Sequence, residues 1–229
     1  MKKSIAKIFA LATALALTCA MAGTALAAEP VVGSPITIRS PKSLAVYYIG
    51  EKIPVILDSS SLPPDLFREF ECALYPLGKT NEVWSKNSGK AKKKSVFKTS
   101  LKTGSLPAGD YQFDGGVTLY ASAKDNVPSA IYRDSYTITL KKLAAPGKVR
   151  AKAGKKKVTV SWKKAKGAKY YQVWRSTKPK NYKKVATVRG GKYTDKTAKG
   201  GQRYYYIVRA FRGKAKSSFS RPAHSGRVK

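Results

Sequence analysis

Apolar and polar residues alternate in short runs along most of this chain, the period of half-buried strands and not of helices. Before residue 143 the runs rich in Val, Ile, Tyr and Phe predict strands at Ile36 to Arg39, Leu44 to Ile49, Ile53 to Asp58 and Phe67 to Tyr75. Further strands are expected at Ser95 to Lys102, Asp110 to Phe113, Val117 to Ser122 and Ser135 to Lys141. Within them Phe70, Cys72 and Leu74 share one face, and Tyr136, Ile138 and Leu140 alternate with Thr137, Thr139 and Lys141. Ser59 to Asp65 and Lys86 to Lys94 read as polar or proline-containing connections. After residue 143 the same pattern gives Val149 to Ala153, Lys157 to Lys163, Tyr170 to Ser176, Lys183 to Arg189, Tyr193 to Asp195, Arg203 to Phe211 and Ala215 to Ser220. Seven short strands in so few residues predict a two-layered sandwich.

The start of the chain breaks this pattern. Lys2, Lys3 and Lys7 precede an apolar run from Ile8 to Ala22, and Ala25-Leu26-Ala27 supplies the small residues that a signal peptidase accommodates. Residues 1–27 therefore read as a secretory signal peptide cleaved after Ala27. A lipoprotein reading of Cys19 fits poorly, because Thr18 stands where a small Gly or Ala is usual. The mature chain would keep Cys72 alone, so it can form no internal disulfide, and it holds no further apolar stretch near the roughly 20 residues of a transmembrane helix. Export without disulfides fits release to the exterior of a Gram-positive cell, and the expected location is extracellular, with cell-wall association.

Charge divides the chain. The 229 residues carry 46 Lys+Arg against 12 Asp+Glu, but residues 28–143 hold 16 against 11 and residues 144–229 hold 27 against one. The change falls at Lys141-Lys142-Leu143-Ala144-Ala145-Pro146-Gly147, where alternation stops and a Pro-Gly pair interrupts pairing. Two domains are expected, 28–143 and 144–229, the second ending in a short basic tail.

In 28–143, Leu106-Pro107-Ala108-Gly109-Asp110-Tyr111 leads through a turn into a strand, a pattern that resembles immunoglobulin-like sandwiches in general. The likeness of the second half is more specific. Pro146, Trp162 on the second strand, Tyr171-Gln172-Val173 on the third, and Gly201 through Ala210 together resemble a fibronectin type III domain over Pro146 to about Arg221. With its many lysines and with Tyr193-Thr194-Asp195 before the corner, it is similar to the versions found in secreted and cell-surface bacterial proteins. The resemblance implies that Tyr204 is the corner tyrosine, its ring inside and its hydroxyl bonded to backbone upstream. The leucine-proline usual before that corner is replaced by Ala198-Lys199-Gly200-Gly201. The fold class expected is all-β, two tandem β-sandwiches.

Little here supports catalysis. His224 is the sole histidine, no Gly-x-Ser-x-Gly stretch exists, and one His with one mature Cys disfavours zinc. Glu69 with Glu71, and Asp110 with Asp114, could share strand faces, but such pairs are commonly the wet side of a sheet. The chain is read as a non-enzyme with no catalytic residue, no metal and no cofactor. An accessory or catalytic role toward extracellular polysaccharide, built on those four carboxylates, and a protein-protein adaptor are the alternatives.

A domain with 27 cations and one anion repels itself unless anions gather around it, so an anionic cell-envelope polymer or glycan is the expected partner. Export argues against intracellular nucleic acid, and no nucleic-acid motif occurs. Alternation sharpens the site. If Tyr171 and Val173 point inward, Tyr170, Gln172 and Trp174 point outward, and Tyr205, Ile207 and Arg209 do so on the neighbouring strand. The candidate binding residues are thus Trp174, Tyr170, Gln172, Tyr205 and Arg209, an exposed aromatic platform rimmed by cations. The structural core should hold Trp162, Tyr204, Tyr206 and Val208.

Overall fold

The computed structural model describes residues 35–92 and 94–229, and the expected signal peptide, 1–27, lies outside the described residues. All regular elements there are strands: β1 (Thr37–Ser40), β2 (Val46–Tyr48), β3 (Lys52–Asp58), β4 (Phe67–Pro76), β5 (Trp84–Ala91), β6 (Val96–Lys102), β7 (Gly109–Tyr120) and β8 (Ala130–Lys141) in the first half. The second half holds β9 (Gly147–Gly154), β10 (Lys157–Lys163), β11 (Tyr170–Ser176), β12 (Lys183–Val188), β13 (Lys192–Asp195), β14 (Tyr205–Arg212), β15 (Ala215–Phe219) and β16 (Ala223–His224). Two compact units result, one made of the residues up to Val46 with Ile53–Leu101 and Gly109–Thr139, the other of Leu140–Lys229 with Tyr47–Lys52 and Lys102–Ala108.

In the first unit a three-stranded sheet, β1-β3-β6, faces a five-stranded one, β2-β8-β7-β4-β5. Alternation places Phe70, Cys72 and Leu74 inside, and the Phe70 ring stacks on Phe97 at 5.8 Å, joining the two sheets. The two strands expected at Asp110 to Phe113 and Val117 to Ser122 are one, because Gly115-Gly116 continues the strand and does not turn it. A Cβ on Gly115 would lie 2.8 Å from Leu57 Cδ2 and 3.2 Å from Ile38 Cδ1, so the missing side chain lets the opposite sheet close in. The segment expected as a connection, Lys86 to Lys94, belongs largely to β5, an edge strand pairing with β4 through a bulge between Glu69 and Glu71. Its polar sequence suits an edge, where one row of backbone groups faces water. Ser59 to Asp65 is a loop, held by buried Arg68, whose guanidinium donates to the carbonyls of Leu62 (2.9 Å), Pro63 (2.6 Å) and Leu66 (3.1 Å).

The second unit packs β13-β10-β9 against β12-β11-β14-β15, with β16 pairing to β14. Val158, Val160 and Trp162 from one sheet meet Tyr171, Val173, Tyr206, Val208 and Ala210 from the other, and Trp162 lies 5.4 Å from the Tyr171 ring. Tyr204 is buried and its hydroxyl accepts the Lys199 N–H at 3.0 Å, a corner built on the chain just upstream. The residues beyond Arg221 differ from the expected tail. Ala223–His224 form a strand, Ser225 N–H donates to the Tyr204 carbonyl at 2.8 Å, and Val228 is buried. Alternation over two residues is too short to read as a strand in sequence.

Candidate anion-binding surface

The four acidic candidates of the first unit all lie on one face of its larger sheet, since Glu69 pairs with Thr118, Glu71 with Gly116 and Ala73 with Asp114. The four do not gather at one point, although Glu69 and Glu71 meet at Asn87. Asp110 lies six residues along β7 from Gly116, about 20 Å at the rise of a strand. Each is already engaged: Asn87 donates to Glu69 (2.8 Å) and Glu71 (3.4 Å), Tyr120 donates to Glu69 (3.1 Å), Ser135 and Gln112 donate to Asp114 (2.8 Å each), and Thr139 donates to Asp110 (2.6 Å). Burial, then the charge of Glu69, raises the Glu71 pKa. Cys72 is buried beneath the same strand and its thiol is pushed up to about 12, chiefly by burial, so it is a packed side chain and not a nucleophile. Among the described residues no three His, Cys, Asp or Glu side chains group as metal ligands would.

The second unit is electrostatically one-sided. Asp195, the single carboxylate side chain of residues 144–229, is 0% exposed. Its Oδ1 accepts the Thr197 N–H (2.9 Å) and hydroxyl (2.7 Å), and its Oδ2 accepts Arg175 Nη1 (2.8 Å) and the Tyr206 hydroxyl (2.9 Å). Burial works to raise its pKa, but these hydrogen bonds outweigh burial and hold the carboxyl below its usual range. Every lysine from Lys148 to Lys229, by contrast, is exposed. On the outer face of β13-β10-β9, Arg150 and Lys192 flank Ser161, and Lys152 and Thr194 flank Thr159.

The other sheet carries the aromatics. Tyr171 and Val173 point inward, which leaves Tyr170, Gln172 and Trp174 on the outer face; across the ladder these meet Phe211, Arg209 and Ile207. Tyr170 stacks on Phe211 at 5.1 Å. Trp174 is not the freely exposed platform expected from alternation. It is partly buried, its Nε1 is covered with no hydrogen-bond partner, and its ring meets Phe219 edge-on at 5.6 Å above the buried Ile207. Tyr205 stands apart, opposite Ser176 and 6.0 Å from the His224 ring. Arg209 lies over the Phe219 ring at 4.8 Å and donates to the Ser217 carbonyl, while Gln172 sits opposite it. Four of the five candidates, Tyr170, Gln172, Trp174 and Arg209, therefore form a strip with Ile207 and Phe219, and Tyr205 lies beyond Ile207. Alternation within β11 and β14 cannot supply Phe219, because it arrives from β15 through the pairing of Arg209 with Phe219.

Beside that strip, a cleft of about 540 Å³ opens where β9 begins and β15 ends, lined by Pro146, Lys148, Val149, Phe219, Arg221 and Pro222 among others. Lys148 adopts φ 51°, a left-handed conformation rare for a side-chain-bearing residue. No sequence signal marks the cleft, whose walls are 70 residues apart in the chain.

No protein-family model and no curated protein sequence matches the chain. Among solved structures it is similar to a Fn3-like protein from Clostridium thermocellum, at 30% identity over 39% of this chain and 97% of that one, TM-score 0.37. Similarity also extends to chicken CNTN1 FN1-FN3 domains, at 15% identity over 82% of this chain and 64% of that one, TM-score 0.41. Titin domains A168-A170 align at 16% identity over 85% of this chain and 66% of that one, TM-score 0.42. With its strand order, its Trp162 core and its Tyr204 corner, the second unit is a fibronectin type III-like domain, joined in one chain to another β-sandwich.

Proposed function

We propose that this is an exported, non-catalytic protein that binds anionic polymers of the bacterial cell envelope through its fibronectin type III-like domain. A fold of this kind suits binding or spacing. The observation that carries the reading is the inequality of its charges: the domain withdraws its one carboxylate side chain, Asp195, into the core and leaves every lysine in water. Such an exterior attracts a polyanion from several directions, and releasing the condensed counterions drives association. The aromatic strip around Trp174 and Phe219 would add contacts to sugar rings that charge alone cannot supply. Among the described residues, the carboxylates on which the polysaccharide-enzyme alternative would be built already accept hydrogen bonds from neighbouring side chains.

Retention of the mature protein on isolated Gram-positive cell walls tests this reading. Retention should fall steeply as salt rises from 50 to 500 mM, and retention indifferent to salt would contradict it. The apolar strip Trp174, Ile207 and Phe219 favours a second reading, a docking face for another protein, in which a partner would stay bound at high salt.

A further inference from the structure

The cleft at the edge of the second sandwich is more specific than the charged coat around it. Its lining mixes apolar residues, Pro146, Val149, Phe219 and Pro222, with two cations, Lys148 and Arg221. Phe219 links cleft and strip. Phe219 is 39% exposed although the Arg209 guanidinium lies over its ring and Trp174 meets it edge-on, so part of the residue stays open. An accessible aromatic ring in a lining shared with two prolines and two cations offers a flat apolar contact and a charged one within a single cleft.

We infer that this cleft seats one acidic pyranose of the polymer, its ring against Phe219 and its carboxylate between Lys148 and Arg221. A neutral sugar would forgo the two cations, and a phosphate chain without rings would forgo Phe219, so the pair of features suits a sugar ring that carries an anion, here taken to be the carboxylate of a hexuronic acid. The inference rests on the polyanion reading above and adds the unit that is recognised. The guanidinium fork of Arg221 matches a planar carboxylate.

The test is titration of the full chain with a hexuronic acid tetramer, a neutral glucose tetramer and inorganic polyphosphate, following tryptophan emission, since Trp174 touches Phe219. The hexuronic acid tetramer should quench emission and saturate, whereas the glucose tetramer should bind at least tenfold more weakly. Phe219→Ala, and Phe219→Leu, which keeps most of the volume and guards against misfolding, should each weaken the acidic tetramer at least fivefold. Lys148→Ala with Arg221→Ala should weaken it at least tenfold. Lys155→Ala with Lys157→Ala, an equal loss of charge beyond the far end of β9, should change it less than twofold. Equal loss in both double variants, indifference to both Phe219 variants, or displacement of the tetramer by polyphosphate in each variant alike would overturn the cleft. If the tetramer fails while a long hexuronic polymer binds in a salt-dependent way, the cleft falls and the polyanion reading stands. If long polymer, polyphosphate and cell walls all fail, both fall.

Discussion

Replacing Asp195 by Asn leaves the shape of the second domain intact and removes its one carboxylate side chain. Asn keeps an oxygen for the two Thr197 donors, but an amide nitrogen then faces Arg175 Nη1, which lay 2.8 Å from Oδ2. Removing one partner of a buried pair costs about 3–5 kcal/mol, and a charge-assisted hydrogen bond is worth about 1.5–3 kcal/mol net. The Arg175 side chain is 24% exposed, so water recovers part of its solvation, and the expected loss is about 2–3 kcal/mol. For a domain of this size that corresponds to a fall in Tm of about 8–24 °C. Hydrogen exchange of the Val160 and Val173 amides reports this unit alone and should quicken accordingly. The pH dependence follows from the depressed carboxyl. Its contribution is complete above about pH 4, near the unfolded pKa of Asp, and is lost as pH falls through the lower folded value. Wild type and Asp195→Asn should therefore differ by a constant amount from pH 5 to 8 and draw together as pH falls below about 4. An unchanged Tm at pH 7, or a gap that does not narrow as pH falls below about 4, would contradict this.

Four further outcomes follow from the packing. Trp162→Ala should cost about 3–5 kcal/mol in denaturant unfolding and Trp174→Ala about 1–3 kcal/mol, because only Trp162 fills the core, and the reverse order would contradict the assignment of faces. Gly115→Ala should destabilise the first unit by about 1–3 kcal/mol, since the new Cβ would meet Leu57 and Ile38, and a neutral result would mean that the sheets part freely. Cys72 should resist a thiol reagent at pH 8 in the native state and react on unfolding, as its raised pKa and burial require. Tyr204→Phe should cost about 1 kcal/mol by leaving the Lys199 N–H without its acceptor, measured as a shift in thermal unfolding.

Most strands were legible because inward and outward positions alternate cleanly: Lys157–Lys163 and Tyr170–Ser176 match their sequence limits. What alternation could not show is pairing between distant segments. The edge strand Trp84–Ala91 lacks an apolar face, and Gly115-Gly116 resembles a turn until the sheet packed over it is known. The same limit governs the site. Trp174, Gln172 and Arg209 were readable as one face, but Phe219 and the cleft with Lys148 and Arg221 depend on where β15 and β9 come to lie. Partial burial of Trp174 likewise reflects a neighbour from another strand, which no local period encodes.

Whether the cationic exterior of the second domain holds a polyanion is decided by the affinity of the full chain for inorganic polyphosphate across 50 to 500 mM salt. Log affinity should fall linearly with log salt, with a slope of several negative units, each unit reflecting about one displaced counterion. A slope near zero, or no binding at 50 mM salt, would contradict it.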